Sequence, residues 1–504
     1  MKTIRKVFGI ALSLIAAAFL FQACSDDDNS ASGLNITADG DSISAIAFKS
    51  TESSKMISVN TDGNWTASVP DADTTWLHIT PHSGYGWNYK DSASTNKNSY
   101  IRVSVTTNME GARQSTITIN AGGLTRQITV TQEGQSLDPG DPFGNVWSMV
   151  SELKMGYNLG NTLDSNPSTK DSWWADKIKG LSGRALANAY ETSWGQPLTT
   201  QAMIDQIHEQ GFNIIRVPVS WRPHMDADNN IDTAWMNRVQ EVVDYALKDS
   251  GYVILNVMHD VGDSKSSKSV WMLADPATYA ANTVIYQKIW RQIAERFKNY
   301  DKHLIFESFN EILDKNSNWT APAAGDPAYE VINKFQQDFV NTVRATGGNN
   351  EWRFLAVTTY AATANTAVPL SEFKLPTDIH PHKIYATVHS YDPYNFCNSN
   401  KGSGHDYNKY TFDAECRATI DQVINNCVTR FQNELGIPFI FGEFGAIDED
   451  KDMNERVSYA TYVSEKLKAN RSTGLWWMGL YDRSKNNWYE SRIVDALRAG
   501  FGIK

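Results

Sequence analysis

From residue 143 to the end of this 504-residue chain, eight short apolar runs recur, each set apart by a longer segment. They are 155–159, 213–217, 252–257, 304–309, 353–357, 383–388, 438–441 and 474–477. Between them, apolar residues return at helical period over 200–210, 233–248, 276–298, 329–345, 414–435 and 453–469. Strands that alternate with helices pair in parallel, because each helix serves as the crossover. Eight such repeats predict a sheet closed on itself, a (β/α)8 TIM barrel over residues 143–504. The region exceeds the ~250 residues typical of that fold, which leaves length for extended loops.

A barrel of this kind carries its chemistry at the C-terminal ends of its strands, and polar residues collect there. The first run ends at Asn158, with Asn161 and Asp164 beyond. The second carries Arg216, and the third leads to His259 and Asp260. The fourth ends in Asn310-Glu311, the sixth in His389-Ser-Tyr391, the seventh in Glu443 and the eighth in Trp476-Trp477. Two carboxylates across a cleft are the equipment for glycosidic cleavage, one giving a proton to the leaving oxygen and the other attacking the sugar or activating water. Arg216 suits a carboxylate that must stay ionised, Tyr391 can donate to it, and His389 can orient or relay a proton. Asn310 can hold a sugar hydroxyl, and Trp477 offers a flat face for a pyranose. Glu307 shares the strand parity of Glu311 but sits mid-strand, so it is expected to fill the barrel beside a buried cation. An ion-pair network is the competing reading of Glu311 and Glu443.

The chain before the barrel follows another pattern. Residues 35–134 alternate polar and apolar in short runs such as 100–106, 115–120 and 126–132, separated by glycine-containing turns. This predicts a small all-β, immunoglobulin-like sandwich. Residues 135–142, with two prolines and a glycine, read as a linker. At the start, Lys2, Arg5 and Lys6 precede an apolar run from Val7 to Phe21, too short for a membrane span and right for a secretory signal over 1–23. Ala23-Cys24 resembles a lipobox, which makes Cys24 the lipidated mature N-terminus. Residues 24–34 then form a flexible acidic tether.

Several strings resemble known families. Trp65, the run 76–79, Pro81, Ser83-Gly84, Arg113 and the closing run 128–132 resemble a BACON domain, an immunoglobulin-like module found before catalytic domains of carbohydrate-degrading lipoproteins. That module is read as a spacer or a glycan binder, with Trp65 and Trp76 in its core. The strings 156–164, 191–197, 214–221, 306–311, 389–396 and 442–445, with the Trp476-Trp477 pair, resemble glycoside hydrolase family 5, subfamily 4. The resemblance implies a retaining enzyme with Glu311 as acid/base and Glu443 as nucleophile. It implies a supporting set of Arg216, Asn310, His389, Tyr391 and His259, with Trp477, Asn161 and Asp164 on sugars. The family usually has two histidines after the third strand, and here the first is replaced by Met258.

The net charge of −11 and the lack of a Lys/Arg cluster argue against nucleic acid. No C-x-x-C pattern occurs among the four cysteines, and Cys397–Cys416 is read as either a disulfide or two free thiols. The expected protein is a monomeric, cofactor-free and metal-free endo-β-1,4-glucanase, acting on xyloglucan, mixed-linkage glucan or cellulosic chains. It is expected at the cell outer membrane, held by its lipid. A β-mannanase on the same fold is the alternative within enzymes. A glycan-binding lipoprotein on a dead barrel is the alternative outside them.

Overall fold

The computed structural model describes residues 31–504 except 51–53, 87–98, 107, 109–111, 135–139, 399–408, 450 and 504. Cys24, the signal and most of the acidic tether lie outside the described residues. The chain forms two compact units, one through Glu133 and one from Gly134, with residues 107–111 grouped with the second.

The first unit is a sandwich of two five-stranded sheets. One runs in the order Asp41–Ser42, Leu34–Ala38, Ser54–Thr61, Tyr100–Val105, Leu77–Thr80; the other runs Ala45–Phe48, Leu124–Gln132, Arg113–Ala121, Trp65–Ser68, Ser83–Gly84. Pairing is antiparallel except between Ala45–Phe48 and Leu124–Gln132. Period-two alternation sends Ile36, Val59, Ile101, Val103, Ile117, Ile119 and Val130 into one shared core. Trp65 and Trp76 belong to that core, and the Arg113 guanidinium lies 4.4 Å over the Trp76 ring.

The second unit is a closed parallel barrel of eight strands. They are β1 (Met155–Asn158), β2 (Phe212–Val217), β3 (Tyr252–Asn256), β4 (Leu304–Glu307), β5 (Leu355–Thr363), β6 (Ile384–Ser390), β7 (Phe439–Phe444) and β8 (Gly474–Trp477). Closure comes from β1 pairing with β8, Gly156 opposite Leu475. Each strand is apolar on both faces because one face meets helices and the other meets the barrel axis. Val253, Leu255, Leu304 and Phe306 face the helical layer, whereas Ile214, Ile254, Ile305, Ala356, Tyr385, Ile440 and Leu475 form an inner cluster. A short helix, α1 (Val146–Glu152), adds Val146, Trp147, Met149 and Val150 to that inner cluster, covering the N-terminal end of the barrel. Asn145 caps it by accepting from Ser148 N, and Trp147 Nε1 donates to Gly436 O at 3.1 Å.

The expected helices appear at Gln201–Glu209, Thr233–Leu247, Pro276–Arg296, Pro327–Ala345, Ala414–Cys427 and Met453–Ala469. The fifth continues as a wider π-helical turn, Val428–Glu434. Two expected strand starts move inward for a physical reason. Arg353 and Lys383 stand just before β5 and β6, where Arg353 donates to Leu304 O and Tyr300 O and Lys383 pairs with Asp141. Asp141 thereby anchors the end of the expected linker to the barrel unit. Cys397, Cys416 and Cys427 are buried free thiols, so the disulfide alternative is corrected. Cys397 and Cys416 point their sulfurs at the Asp392 and Thr411 carbonyls, each at 3.6 Å.

Candidate active site

Arg216 is the hub of the barrel mouth. Strand parity in β2 puts it on the inner face, one step above Ile214. Its guanidinium carries five N–H donors, and all five are used. Nε and Nη2 clamp Glu307 of β4, each at 2.8 Å. Nη1 donates to Asn158 Oδ1 at 3.1 Å and to Glu443 Oε1 at 2.7 Å. Nη2 also donates to Asn310 Oδ1 at 2.8 Å. Burial opposes the charge, but the Glu307 and Glu443 carboxylates overcome it and raise Arg216 above its ordinary value. Glu307 is therefore the barrel filler that its place within the fourth apolar run indicated, fully buried against its cation.

Glu443 reaches the mouth through a local irregularity. Val388 pairs with Phe441 but His389 pairs with Glu443, so β7 carries one extra residue, Gly442. The same offset recurs against β8, where Phe441 and Phe444 oppose Gly474 and Trp476. Such a bulge re-aims the side chains beyond it. Without it, alternation from the outward Phe441 would turn Glu443 toward the helices. Gly442 also permits close packing, since a Cβ there would stand 2.4 Å from Thr387 Oγ1. Asn158 Nδ2 fastens the bulge by donating to Gly442 O at 2.9 Å.

Both oxygens of Glu443 are engaged, Oε1 by Arg216 and Oε2 by the Tyr391 hydroxyl at 2.9 Å. Burial alone would raise its carboxyl. The His389 and Arg216 charges, with hydrogen bonds from Tyr391 and Arg216, outweigh burial and hold it below the usual carboxylate range. Burial and then the Glu443 and Glu311 charges push Tyr391 well above the ordinary phenol value, which keeps it a donor.

Glu311 stands opposite, four residues past the end of β4 and partly open to solvent. His389 Nδ1 lies 2.7 Å from Glu311 Oε1 and 3.7 Å from Glu443 Oε1. Burial pushes the imidazole down, but the Glu443 charge and the hydrogen bond to Glu311 leave it above its ordinary value. One oxygen of each carboxylate and a His389 nitrogen lie within 4.8 Å of one another. That spacing would also suit a metal ion, yet the Arg216 cation on Glu443 opposes a second cation. Carboxylates this close match the ~5–5.5 Å of retaining glycosidases and not the ~6.5–9.5 Å of inverting ones.

Two cavities flank the pair. One, of about 550 Å³, is lined by Asn310, Glu311, His259, Trp173, Trp194 and Trp319. The other, of about 280 Å³, is lined by Asn161, Tyr391 and Trp477. Gly160 lets Trp477 lie across the end of β1, because a Cβ at that position would come 2.8 Å from its ring. Asn161 takes a left-handed backbone, φ 58°, as asparagine tolerates.

His259 sits beside the Trp194 ring, centroids 5.3 Å apart, with Nε2 3.5 Å from Asp164. Asp164 itself corrects the expectation of a sugar contact. It is fully buried, and its carboxylate accepts from Asn161 N and Thr162 N. It shapes the loop after β1 and orients His259. Met258, in place of a histidine, is buried with its sulfur 3.6 Å from Asn256 Nδ2 and 4.0 Å from Arg216 Nη2. Sequence reasoning missed Asn158 as the link between Arg216 and the bulge. It also left Trp173 and Trp319 undistinguished from a loop tryptophan that only packs, Trp488, which stacks on Phe212 and Tyr481, and it did not single out Trp194.

Comparisons with known proteins agree with this geometry. Residues 179–481 match the model of "Cellulase (glycosyl hydrolase family 5)", and residues 49–133 match BACON, "Putative binding domain, N-terminal". Endoglucanase A of Clostridium longisporum is 35% identical over 370 residues, 70% of this chain and 65% of that protein. Cellulase/esterase CelE of Acetivibrio thermocellus is 35% identical over 373 residues, 71% of this chain and 40% of that protein. The chain thus spans less than two thirds of either relative. Among solved structures, the family 5 enzyme of Prevotella bryantii B14, in complex with a xyloglucan tetradecasaccharide, shares 36% identity and a TM-score of 0.62. It covers 71% of this chain and 98% of its own. A xyloglucanase of Bacteroides ovatus in complex with a XXXG heptasaccharide shares 25% identity and a TM-score of 0.62, over 93% of this chain and 100% of its own.

Proposed function

The chain belongs to the cellulase family, glycosyl hydrolase family 5, and from that membership we propose that it is a retaining endo-β-1,4-glucanase acting on xyloglucan, mixed-linkage glucan or cellulosic chains. The observation that carries this reading is the pair of Glu311 and Glu443 with oxygens within 4.8 Å.

In this reading the sugar to be cleaved stacks on Trp477 with its anomeric carbon above Glu443. Glu443 is ionised and held by Arg216 and Tyr391, so it attacks as the nucleophile. Glu311 protonates the departing oxygen and His389 holds that carboxyl in place. The products of this step are a shortened chain with a free hydroxyl and a glycosyl ester on Glu443. Glu311 then takes a proton from water, and the resulting nucleophile opens the ester with net retention. Asn310, fixed by Arg216, presents its amide N–H to a hydroxyl of the same sugar. No metal or organic cofactor enters these steps. The named activities of the relatives, endoglucanase and xyloglucanase, support the choice of glucan.

Three further readings belong to the whole protein. Cys24 carries a lipid that holds a monomer at the outer membrane, with the acidic segment behind it as tether. The BACON unit acts as a spacer, a reading supported by the burial of Trp65 and Trp76 in its core. The cleft binds β-glucan along both cavities.

The test is product analysis on β-glucan, xyloglucan, xylan and glucomannan, with anomer detection by NMR. Internal cleavage of a glucan and a β-configured initial product are expected. Cleavage of mannan alone, or an inverted anomer, would overturn the reading. Glu443→Gln should abolish turnover and leave glycan binding largely intact; wild-type turnover in that variant removes Glu443 from the mechanism.

A further inference from the structure

Behind the turn at Met478–Gly479 lies another cavity, of about 290 Å³. It shares Met478, Gly479 and Tyr489 with the Trp477 cavity, so the two adjoin. Arg483 and Tyr157 line it. Arg483 is only 2% exposed, yet it makes a single hydrogen bond, from Nη2 to Gly160 O at 2.6 Å. Its Nε and Nη1 are buried with no partner, and so is the Tyr157 hydroxyl, on a side chain with no exposure at all.

Arg216 and Arg238 each meet carboxylates, whereas Arg483 pairs with none among the described residues. Arg353 is also buried without a carboxylate, but it spends its N–H groups on Asn350 Oδ1 and backbone carbonyls. Asp482 also lines the cavity, but its carboxylate is held by Ser484 Oγ at 2.6 Å and neutralised by Lys485 Nζ at 2.9 Å. A guanidinium cannot shed its proton, and leaving such a charge buried without a counter-ion or hydrogen-bond acceptors is costly. Two N–H groups and one O–H thus lack acceptors on two residues that line the same cavity. The fork of an arginine fits the two oxygens of a carboxylate better than it fits scattered hydroxyls.

We propose that this cavity binds the carboxylate of an acidic sugar substituent, a uronic acid branch on the glycan unit stacked at Trp477, with Arg483 and Tyr157 as its donors. The inference rests on the sugar-binding reading of the Trp477 cavity and adds a charged decoration to the substrate. Backbone units that carry the branch would be held more tightly than bare ones.

Binding can be read without hydrolysis. Thermal unfolding of the full chain is followed with sodium glucuronate, with glucose, and with sodium chloride at matched ionic strength. Glucuronate at saturation should raise Tm by about 1–3 °C, and the other two should not. Tyr157→Phe keeps the ring and its packing on Phe212; it should keep the unliganded Tm and lose at least half of the glucuronate shift. Arg483→Met should lose the shift entirely, and if that variant fails to fold, Tyr157→Phe decides the matter alone. An equal shift with glucose or with chloride, no shift at all, or a full shift in Tyr157→Phe overturns the proposal. Glucan hydrolysis by wild type and Tyr157→Phe is measured in parallel. A chain that cleaves glucan but ignores glucuronate refutes the acidic site alone, and one that does the reverse refutes the glucanase reading.

Discussion

Arg216→Met should harm the fold as well as the reaction. The substitution strands Glu307 and Glu443 as buried like charges, and breaking a buried pair in this way costs about 3–5 kcal/mol. A Tm drop with loss of activity is expected from calorimetry and initial rates; an unchanged Tm would mean that other groups compensate. Tyr391→Phe is milder. A hydrogen bond to a charged group is worth about 1.5–3 kcal/mol, so kcat should fall roughly 10–100-fold. The pH profile supplies the sign. Glu443 is held low, so its contribution is complete above the unfolded carboxylate value of about 4.3 and is lost as pH falls through the folded value. Removing the Tyr391 donor weakens the hold, and the acid limb of kcat/KM should move upward. His389 is raised, so its charged form contributes below about 6.5 and is lost as pH rises through the folded value. Of the residues that sequence reading proposed, Arg216, His389 and Glu443 stand in the last residues of their strands, and Glu311 and Tyr391 stand in the segments just beyond. Asp164 misled because a carboxylate in a loop serves backbone N–H groups as well as it serves a sugar. Asn158 was visible at the end of β1, but its partners lie far off in sequence, and only folding brings them together.

At the scale of elements, the eight strands were legible because a strand packed on both faces is a continuous apolar run. Their ends were less so. β4 stops at Glu307, although Ser308 N still donates to Ala356 O at 3.0 Å and Asn310 N to Val257 O at 2.9 Å, which carries the chain on to Glu311. The bulge in β7 left no mark on the sequence, since Phe-Gly-Glu-Phe reads equally well as a regular strand. Gly442→Ala tests it. The added methyl must displace Thr387 or the backbone, and overpacking of this kind costs about 1–3 kcal/mol. Activity should fall further than that stability loss explains, because Glu443 moves with the bulge. A variant with normal kcat would show that the register tolerates the methyl. Trp147→Ala, at the other end of the barrel, should cost about 3–5 kcal/mol by opening a hole under the inner cluster. Its kcat at temperatures below the transition should stay near wild type.

For the whole molecule, separation into two units makes a simple prediction. A chain beginning at Gly140 keeps Asp141, whose pair with Lys383 closes the foot of the barrel. Its kcat/KM on a soluble gluco-oligosaccharide should match that of the full chain. A large loss would give the first unit a part in catalysis. The proposed lipid anchor predicts that Cys24→Ser moves the protein from the membrane fraction to the soluble one on fractionation, and an unchanged distribution would remove Cys24 as the anchor. Composition and alternation announced both units, because a sandwich and a barrel bury apolar residues at different periods. The Arg483 cavity was hidden, since unpaired donors become visible only once every other partner has been placed.

One arginine joins β1, β2, β4 and β7 through side chains alone. Enzymes often keep their reactive centre in the loosest part of the molecule, where small openings come cheaply. Here none of those four strands can peel away without also parting the guanidinium from a carboxylate or an amide. Amide protons of 214–217, 305–307 and 441–444 should therefore exchange with deuterium only when the entire barrel opens, at one common rate. Loops bearing Trp173, Trp194 and Trp319 should exchange long before, so that grip on the substrate adapts while the reacting groups stay still.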